Sequence, residues 1–544
     1  MDSTYFDHFV RGLFPTNCVS RQLAMDGNEP LLICARGHDA GPGSVSEVHL
    51  KHLLALNLRK LRGAEHAFAP RSYILLPGDF FREEFNSFVL DFKISQALAL
   101  VKHVACGDVE VTGAGITGYT PEGLWGRELP TIRWEPGPEA HQPLSNEMVD
   151  VALSIIECRL FEDDSSDRKP LSELEWIQIR SFDTQSSLES ISTAQVERCR
   201  NTWSRVKDLM PERQASLLHR NFWALKPSCG QFGRGILLID RLPEDPGQLL
   251  EWAAAVGRGG LKGGNDVKEG VVLQKLIEQP HLLDKQLLGN LGNLGNPAGD
   301  SVSGGKFKYN LRMIVLATLR SPCRIWLYNE GFVSLALCPF TSQLDPLSHI
   351  TNLRQGAGYE SQRRWPIRDL DSYLAAKGRP SFDDSFRPQI ERIISSLFYA
   401  LSLHPTSLLP LDPCDETGDM GRSAAGKKLR RFGFDFLIDQ TETVWFLEVN
   451  FLKNGYAIGH AQSGPAGDAK RDFVQDFMVE ETALRKAVAR QTLPVPSSFV
   501  ELQPKLCHPP TCCKNGQANK AERSLDPPSH PSRPGLEIGD LEIQ

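Results

Sequence analysis

The sequence predicts an α/β (α+β) protein in which two β-rich lobes face each other behind a smaller N-terminal domain. Three observations predict it. Strand-like apolar runs fall in two blocks, 221–283 and 307–450. Helical apolar spacing precedes and separates those blocks. A chain of 544 residues, 41% hydrophobic and 23% charged, has an ordinary globular balance and room for several domains. That composition excludes a fibrous, collagen-like or wholly disordered chain.

A helix is expected over 48–61, where Leu50, Leu53, Leu54, Leu56 and Leu58 give an amphipathic spacing. A strand follows in Ser72–Asp79, stopped by Pro77-Gly78. Phe88–Cys106 reads as a helix with Phe92, Ile94, Ala97, Leu98 and Val101 on one side. Residues 107–150, rich in Gly and Pro, read as surface loops. They hold a GxGxxG match at Gly113–Gly118, but the YTPEGLWG that follows is a poor helix, so the match is read as a turn. Residues 150–215 are expected to be helical around a charged linker. Strands are expected in 221–241 and 270–283, hairpins over 307–340 and 431–450, and a helix over 386–404. The three Leu-Gly-Asn copies at 288–296 read as a loop insertion. The implied division is an N-terminal domain (1–130), a helical segment (131–215), a central lobe (216–300), a C-terminal lobe (301–490) and a disordered tail (491–544).

The net charge of −7 argues against a protein that wraps nucleic acid nonspecifically. No apolar run reaches the ~18 residues of a membrane span, and the N-terminus does not read as a secretory leader. Scattered Cys, several inside apolar runs (Cys34, Cys106, Cys158 and Cys338), suit reduced, buried thiols in a cytosolic protein better than a disulfide framework. The adjacent spacing of Cys507, His508, Cys512 and Cys513 fits a zinc site poorly.

The residue pattern that carries chemistry begins in RFGFDFLIDQTETVWFLEVN, residues 431–450. With 440–443 as the turn, Asp435 lies opposite Glu448, and Asn450 shares the face of Glu448. Opposed carboxylates repel unless a cation sits between them, and two carboxylates with an amide are hard oxygen ligands suited to Mg²⁺. Upstream, Lys226 precedes a loop containing Gly230, Gly233 and Gly235, which lets backbone N–H groups approach an anion. Gln274, Lys275, Leu276 and Ile277 end a strand whose free backbone groups suit an adenine edge. Lys308, Asn310 and Arg312 share one strand face, placing two cations where phosphate could bind. Together these describe a nucleotide–Mg²⁺ site gripped between two lobes.

The order and wording of these motifs resemble the tubulin–tyrosine ligase-like family. The matching stretches are HLKHLLALNLRKLRG, FAPRSYILLPGD, WALKPSCGQFGRGILLID, VVLQKLIEQPHLL, KYNLRMIVLATLRSPCRIWLYNEGFV, HITN and FGFDFLIDQTETVWFLEVN, in family order from about residue 48 to 455. The resemblance implies an ATP-grasp fold and an ATP-dependent ligase that adds an amino acid to tubulin or a related protein. It implies ATP contacts at Lys226, Gly233, Arg234, Gly235, Gln274, Lys275, Leu276, Ile277, Lys308, Asn310, His349, Thr351 and Asn352. It further implies Mg²⁺ ligands at Asp435, Glu448 and Asn450, and catalytic roles for Arg312 and Lys51.

Asn310 stands where the family usually has Asp, and Asn329 and Ser334 where its hairpin usually carries Arg. Phe451-Leu452-Lys453 replaces the small residues that usually follow Asn450. Arg320, Arg324 and Arg354 are candidate substitutes. The long segment before Lys226 resembles the monoglycylase branch. Docking of an acidic tubulin tail is expected at Arg363, Arg364 and Arg368 or at Lys427, Lys428, Arg430 and Arg431. The partners expected are tubulin tails and a free amino acid (Gly, Glu or Tyr), with no nucleic acid or membrane. The expected location is cytoplasmic and cytoskeletal, or a cilium or flagellum. A catalytically silent ATP- and tubulin-binding module, and a ligase acting on a non-tubulin peptide, are the alternatives.

Overall fold

Two antiparallel sheets carry the molecule. In a computed structural model the described residues are Lys51, Leu54, Ala55, Leu58, 68–75, 80–107, 143–158, 173–180, 182, 187–209, 220–228, 236–242, 247–249, 271–284, 305–318, 324–336, 338–341, 344–351, 364–402, 429–451, 465–490 and 495–503. All lie within one compact unit, Met1–Cys507. Among them no helix is long and apolar enough to cross a membrane.

The first sheet has the order β1-β4-β2-β3, built from β1 (Ser72–Leu75), β2 (Trp223–Pro227), β3 (Leu237–Ile239) and β4 (Val271–Lys275). Alternation decides its two sides. Trp223, Leu225, Leu237, Ile239, Val271 and Leu273 enter one core with four helices. These are α1 (Phe80–Cys106), α2 (Asn146–Ile156), α3 (Glu173–Arg180) and α4 (Thr193–Leu209). Helix α1 begins eight residues before the expected Phe88, because Phe85 also reaches this core. The segments expected as 1–130, 131–215 and 216–300 thus contribute to one shared core. The other side of the sheet carries Ala224, Lys226, Leu238 and Gln274.

The second sheet has the order β10-β9-β6-β7-β11, with β5 (Leu282–Asp284) paired to β6 and β8 (Arg364–Pro366) paired to β7. Its long strands are β6 (Lys306–Thr318), β7 (Arg324–Leu335), β9 (Leu429–Ile438) and β10 (Val444–Phe451). Odd-numbered β6 residues from Phe307 to Ala317 and even-numbered β9 residues from Phe432 to Ile438 face a phenylalanine-rich core. Helices α6 (Ile367–Ala376), α7 (Phe382–Ser385) and α8 (Arg387–Ser402) cover it; the single-turn α5 spans Pro346–His349. The opposite side of β6 divides. Lys308, Asn310 and Arg312 occupy its first half, while Ile314 and Leu316 pack with Phe477, Leu484 and Phe499 in its second.

The expected tail from 491 is corrected at this last contact. Phe499–Leu502 forms β11 and pairs with Tyr328–Ile325 of β7, and α9 (Pro465–Arg490) packs beside it. Phe499 and Leu502 each bury an apolar side chain on an edge that sequence composition alone did not mark.

Candidate nucleotide and metal site

The hairpin register sets the site. At the turn, Val444 pairs with Ile438 and Phe446 with Phe436, whereas beyond it Glu448 pairs with Asp435 and Asn450 with Gly433. Leu447 is the extra residue, a β-bulge. The expected Asp435–Glu448 pairing holds. Arg312 is the partner of Asp435 on the other side, and Phe332 the partner of Arg312. Four adjacent strands therefore present Glu448, Asp435, Arg312 and Phe332 in one row.

Arg312 grips Asp435 with both arms, Nε to Oδ1 at 2.6 Å and Nη2 to Oδ2 at 2.5 Å. Its guanidinium lies 5.9 Å from the Phe332 ring centroid. Asn450 Nδ2 donates to Asp435 Oδ2 at 3.1 Å and to Glu448 Oε1 at 3.3 Å. Lys51 Nζ lies 3.7 Å from Glu448 Oε2, and the Lys51 N–H donates to the Ser228 carbonyl. Lys51 thereby links the end of β2 to β10.

Lys226 reaches the same place from β2, donating to Gln274 Oε1 at 2.5 Å. The Gln274 amide donates to Ser72 Oγ at 3.3 Å. Burial lowers the Lys226 ammonium to about 8, against the pull of Glu448 and Asp435. Burial and the nearby Lys226 lower Lys308 to about 7. Burial works against an ionised Glu448, but Lys51, Lys226 and Arg312 outweigh it and hold the carboxyl at about 2. Asp435 rises to about 6 because burial outweighs Arg312. Cations Lys51, Lys226 and Arg312 thus surround anions Asp435 and Glu448, with Lys308 next to Lys226. The excess positive charge, held in a low-dielectric site, suits a polyanion.

A divalent cation fits the donor set. Among the described residues there is no group of three or more His, Cys, Asp or Glu arranged to hold a metal. Asp435 and Glu448 with the Asn450 amide therefore suit an ion that shares its coordination with phosphate oxygens and water, as Mg²⁺ does. Asn310 adds an open donor site: it is 4% exposed, and its Oδ1 has no hydrogen-bond partner among the described residues.

His349 and Thr351 lie in the segment that covers the Lys226 side of the first sheet. Ile350 packs on Ala224 and Leu238, and the His349 ring contacts Phe222 and Phe340 at 5.8 and 5.1 Å between centroids. Gly233, Arg234, Gly235 and Asn352 lie outside the described residues, as do Arg320, Arg354, Arg363, Lys427, Lys428 and Lys453. The side chain of Arg364 lies outside them too.

Several expectations are corrected. The Lys275 side chain is fully buried in an ion pair with Glu278 and donates to the Phe222 carbonyl at 2.9 Å, so it supports the strand end from within. Arg324 pairs with Thr318 at the far end of the hairpin, six residues along β6 from Arg312, and is held there by Glu501 at 2.7 and 2.8 Å, which removes it as a substitute phosphate contact. Arg431 is buried against Glu481 on α9 and is no surface for an acidic tail; Arg368 is exposed. Asn329 donates to the Ser497 carbonyl at 2.9 Å and so fastens the approach to β11. Ser334 pairs directly with Asn310, so two departures from the family pattern form one uncharged cross-strand pair.

Leu447 is the residue that sequence reasoning missed. It packs with Ile277, Leu437 and Trp445, joining the end of β4 to β10 through an apolar surface. The signal was present: Phe446 and Val449 both face the core although three positions apart, which a regular strand cannot do.

Comparison with known proteins identifies related chains. The model of the tubulin-tyrosine ligase family matches residues 171–452, just over half of the chain. The human tubulin monoglutamylase TTLL4 is 24% identical over 270 residues, 47% of this chain and 18% of that protein. The probable tubulin polyglutamylase TTLL9 of Bos taurus is 25% identical over 262 residues, 42% of this chain and 47% of that protein. The mouse tubulin monoglycylase TTLL3 is 22% identical over 424 residues, 73% of this chain and 40% of that protein. The chain spans less than half the length of each of these relatives. The matched stretch runs from α3 through Asn450 and holds the whole row of Phe332, Arg312, Asp435 and Glu448, and on this evidence the chain belongs to the tubulin-tyrosine ligase family.

Proposed function

We propose that the protein is an ATP-dependent ligase of ATP-grasp type that joins a free amino acid to a carboxylate of an acidic tubulin tail. The observation that carries this reading is the convergence of Lys226 and Arg312, one from each sheet, and of helical Lys51 on the Asp435–Glu448 pair. Such a cluster fits a nucleotide polyphosphate that brings its own negative charge. Bound by Asp435, Glu448 and Asn450, Mg²⁺ would neutralise phosphate oxygens. Lys226 and Lys308 would hold the phosphates from opposite lobes, and Arg312 would stabilise charge on the transferred phosphoryl group. The acceptor carboxylate would attack the γ-phosphorus of ATP, breaking the β–γ bond and releasing ADP to leave an acyl phosphate, and the amine of the amino acid would then displace inorganic phosphate, losing a proton, to form the amide. Holding both substrates in line supplies much of the acceleration. The amino acid proposed first is glycine, since the alignment to the mouse glycylase runs over 73% of this chain. A cytoplasmic, cytoskeletal location follows from the acceptor.

A second reading, a nucleotide- and tubulin-binding module without turnover, is favoured by the uncharged Asn310–Ser334 pair beside the phosphate-facing strand. Intact-mass analysis of tubulin incubated with the protein, Mg²⁺-ATP and Gly, Glu and Tyr tests both. A mass increment that Glu448→Gln abolishes supports the ligase, and its size names the amino acid. Absence of any increment with retained ATP binding overturns the ligase reading and supports the module.

A further inference from the structure

The chain passes from the first sheet to the second through residues 276–281, and both ends of that connection are fastened. At the second sheet, the His281 N–H donates to the Ile438 carbonyl at 2.9 Å, the Gln440 N–H donates to the Gln279 carbonyl at 2.8 Å, and Pro280 bridges Asp439. At the first sheet, the Leu276 N–H donates to the Phe222 carbonyl at 3.0 Å. A regular antiparallel pair would return the Phe222 N–H to the Leu276 carbonyl. Instead the Phe222 N–H donates to Glu278 Oε1 at 2.7 Å. That carboxylate also pairs with Lys275, whose ammonium donates back to the Phe222 carbonyl. Glu278 thus takes the place of a backbone carbonyl, ends the ladder and turns the chain toward the second sheet. Only Ile277 and Glu278 lie between the first-sheet bond of Leu276 and the second-sheet bond of Gln279, and Ile277 packs with Leu447 and Trp445 of β10.

We propose that Glu278, clipped to Lys275 and Phe222, is a positioning residue that fixes the Leu276–Ile277 strap and through it the base end of the nucleotide site. This rests on the nucleotide reading above. Lys226 and Arg312 stand on strand interiors that the clip does not touch, and Glu278 reaches Lys308 through its charge alone. Loosening the strap should therefore cost recognition of the base and spare recognition of phosphate.

The test is the double substitution Lys275→Met/Glu278→Met in the full chain. Replacing a buried ion pair by apolar groups of similar size is often neutral for stability, so a thermal melt separates folding from positioning. Binding of Mg²⁺-ATP and of Mg²⁺-tripolyphosphate is measured by calorimetry. The expected result is a lowered but still cooperative melt, because the buried Phe222 N–H loses its acceptor, with ATP affinity about tenfold weaker and tripolyphosphate affinity within about twofold of the original. Should the double variant fail to fold, Glu278→Gln, which keeps an acceptor for the Phe222 N–H and weakens only the pairing with Lys275, is expected to give a smaller loss for ATP, about threefold, and none for tripolyphosphate. Equal loss for both ligands, or loss for neither, overturns the positioning role while leaving the nucleotide reading intact. An unsubstituted chain that binds neither ligand overturns both.

Discussion

Substituting Phe499→Ala tests whether the chain beyond α9 belongs to the folded second lobe. Phe499 is 5% exposed, its ring centroid lies 5.1 Å from that of Tyr328 and 6.4 Å from that of Phe477, and its backbone pairs with Tyr328. Truncating a buried phenylalanine costs about 3–5 kcal/mol, through lost transfer energy and the cavity left behind. Total stabilities run to about 5–15 kcal/mol, so this one ring is a large fraction of the whole. Buried Trp326 shares the same cluster and reports on it by fluorescence. Urea unfolding of the full chain at 25 °C should show an early transition moved to lower urea, with far-ultraviolet dichroism following it. A Phe499→Leu variant should recover more than half of the loss. An unfolding midpoint for Phe499→Ala indistinguishable from that of the unsubstituted chain would refute the reasoning, because β11 would then contribute nothing to the lobe.

Gly331→Ala places a Cβ 2.5 Å from the Arg312 carbonyl and 2.9 Å from Ile367 Cδ1, so β6 or β7 must shift. The expected cost is about 1–3 kcal/mol, together with weaker ATP binding by calorimetry. Burial lowers Lys102 from 10.5 to about 8. The unfolded chain therefore binds more protons than the folded one between those values, and stability rises with pH across that window. Lys102→Met should flatten that rise and add about 3 kcal/mol at pH 7, read from urea unfolding at pH 7 and pH 9.5. Arg431→Met, which breaks the buried pair with Glu481, should lower the melting temperature while leaving the affinity for an acidic peptide unchanged in a fluorescence-anisotropy titration. A weaker peptide affinity would return Arg431 to the docking surface.

The two hairpins and the pairing of Asp435 with Glu448 were legible in the sequence because strand alternation is a local property. Lys308 and Arg312 could be placed on one face by the same arithmetic. What the sequence did not show was what each side chain meets across the fold. Lys275 lies in a motif associated with nucleotide binding, yet its partner Glu278 and the Phe222 backbone claim it. Arg324 and Arg431 read as free cations until Glu501 and Glu481 arrive from the chain after residue 464. The strand 499–502 was missed for a related reason. It is short and follows a Pro- and Ser-containing stretch, and its stability comes from Tyr328 and Phe477 rather than from its own composition.

Strand β6 places Lys308 and Arg312 on one side and Tyr309, Leu311 and Met313 in the phenylalanine-rich core on the other. Such a strand tolerates changes of identity better than changes of length. Inserting or deleting a single residue between Lys308 and Arg312 would leave one of the two cations facing the rings of Phe432 and Phe434, and an aliphatic side chain facing the carboxylates. Among sequence variants of this protein, a one-codon in-frame deletion here would be more damaging than most missense changes at the same codons. The spacing of this stretch is therefore under tighter physical constraint than the chemistry of most of its letters.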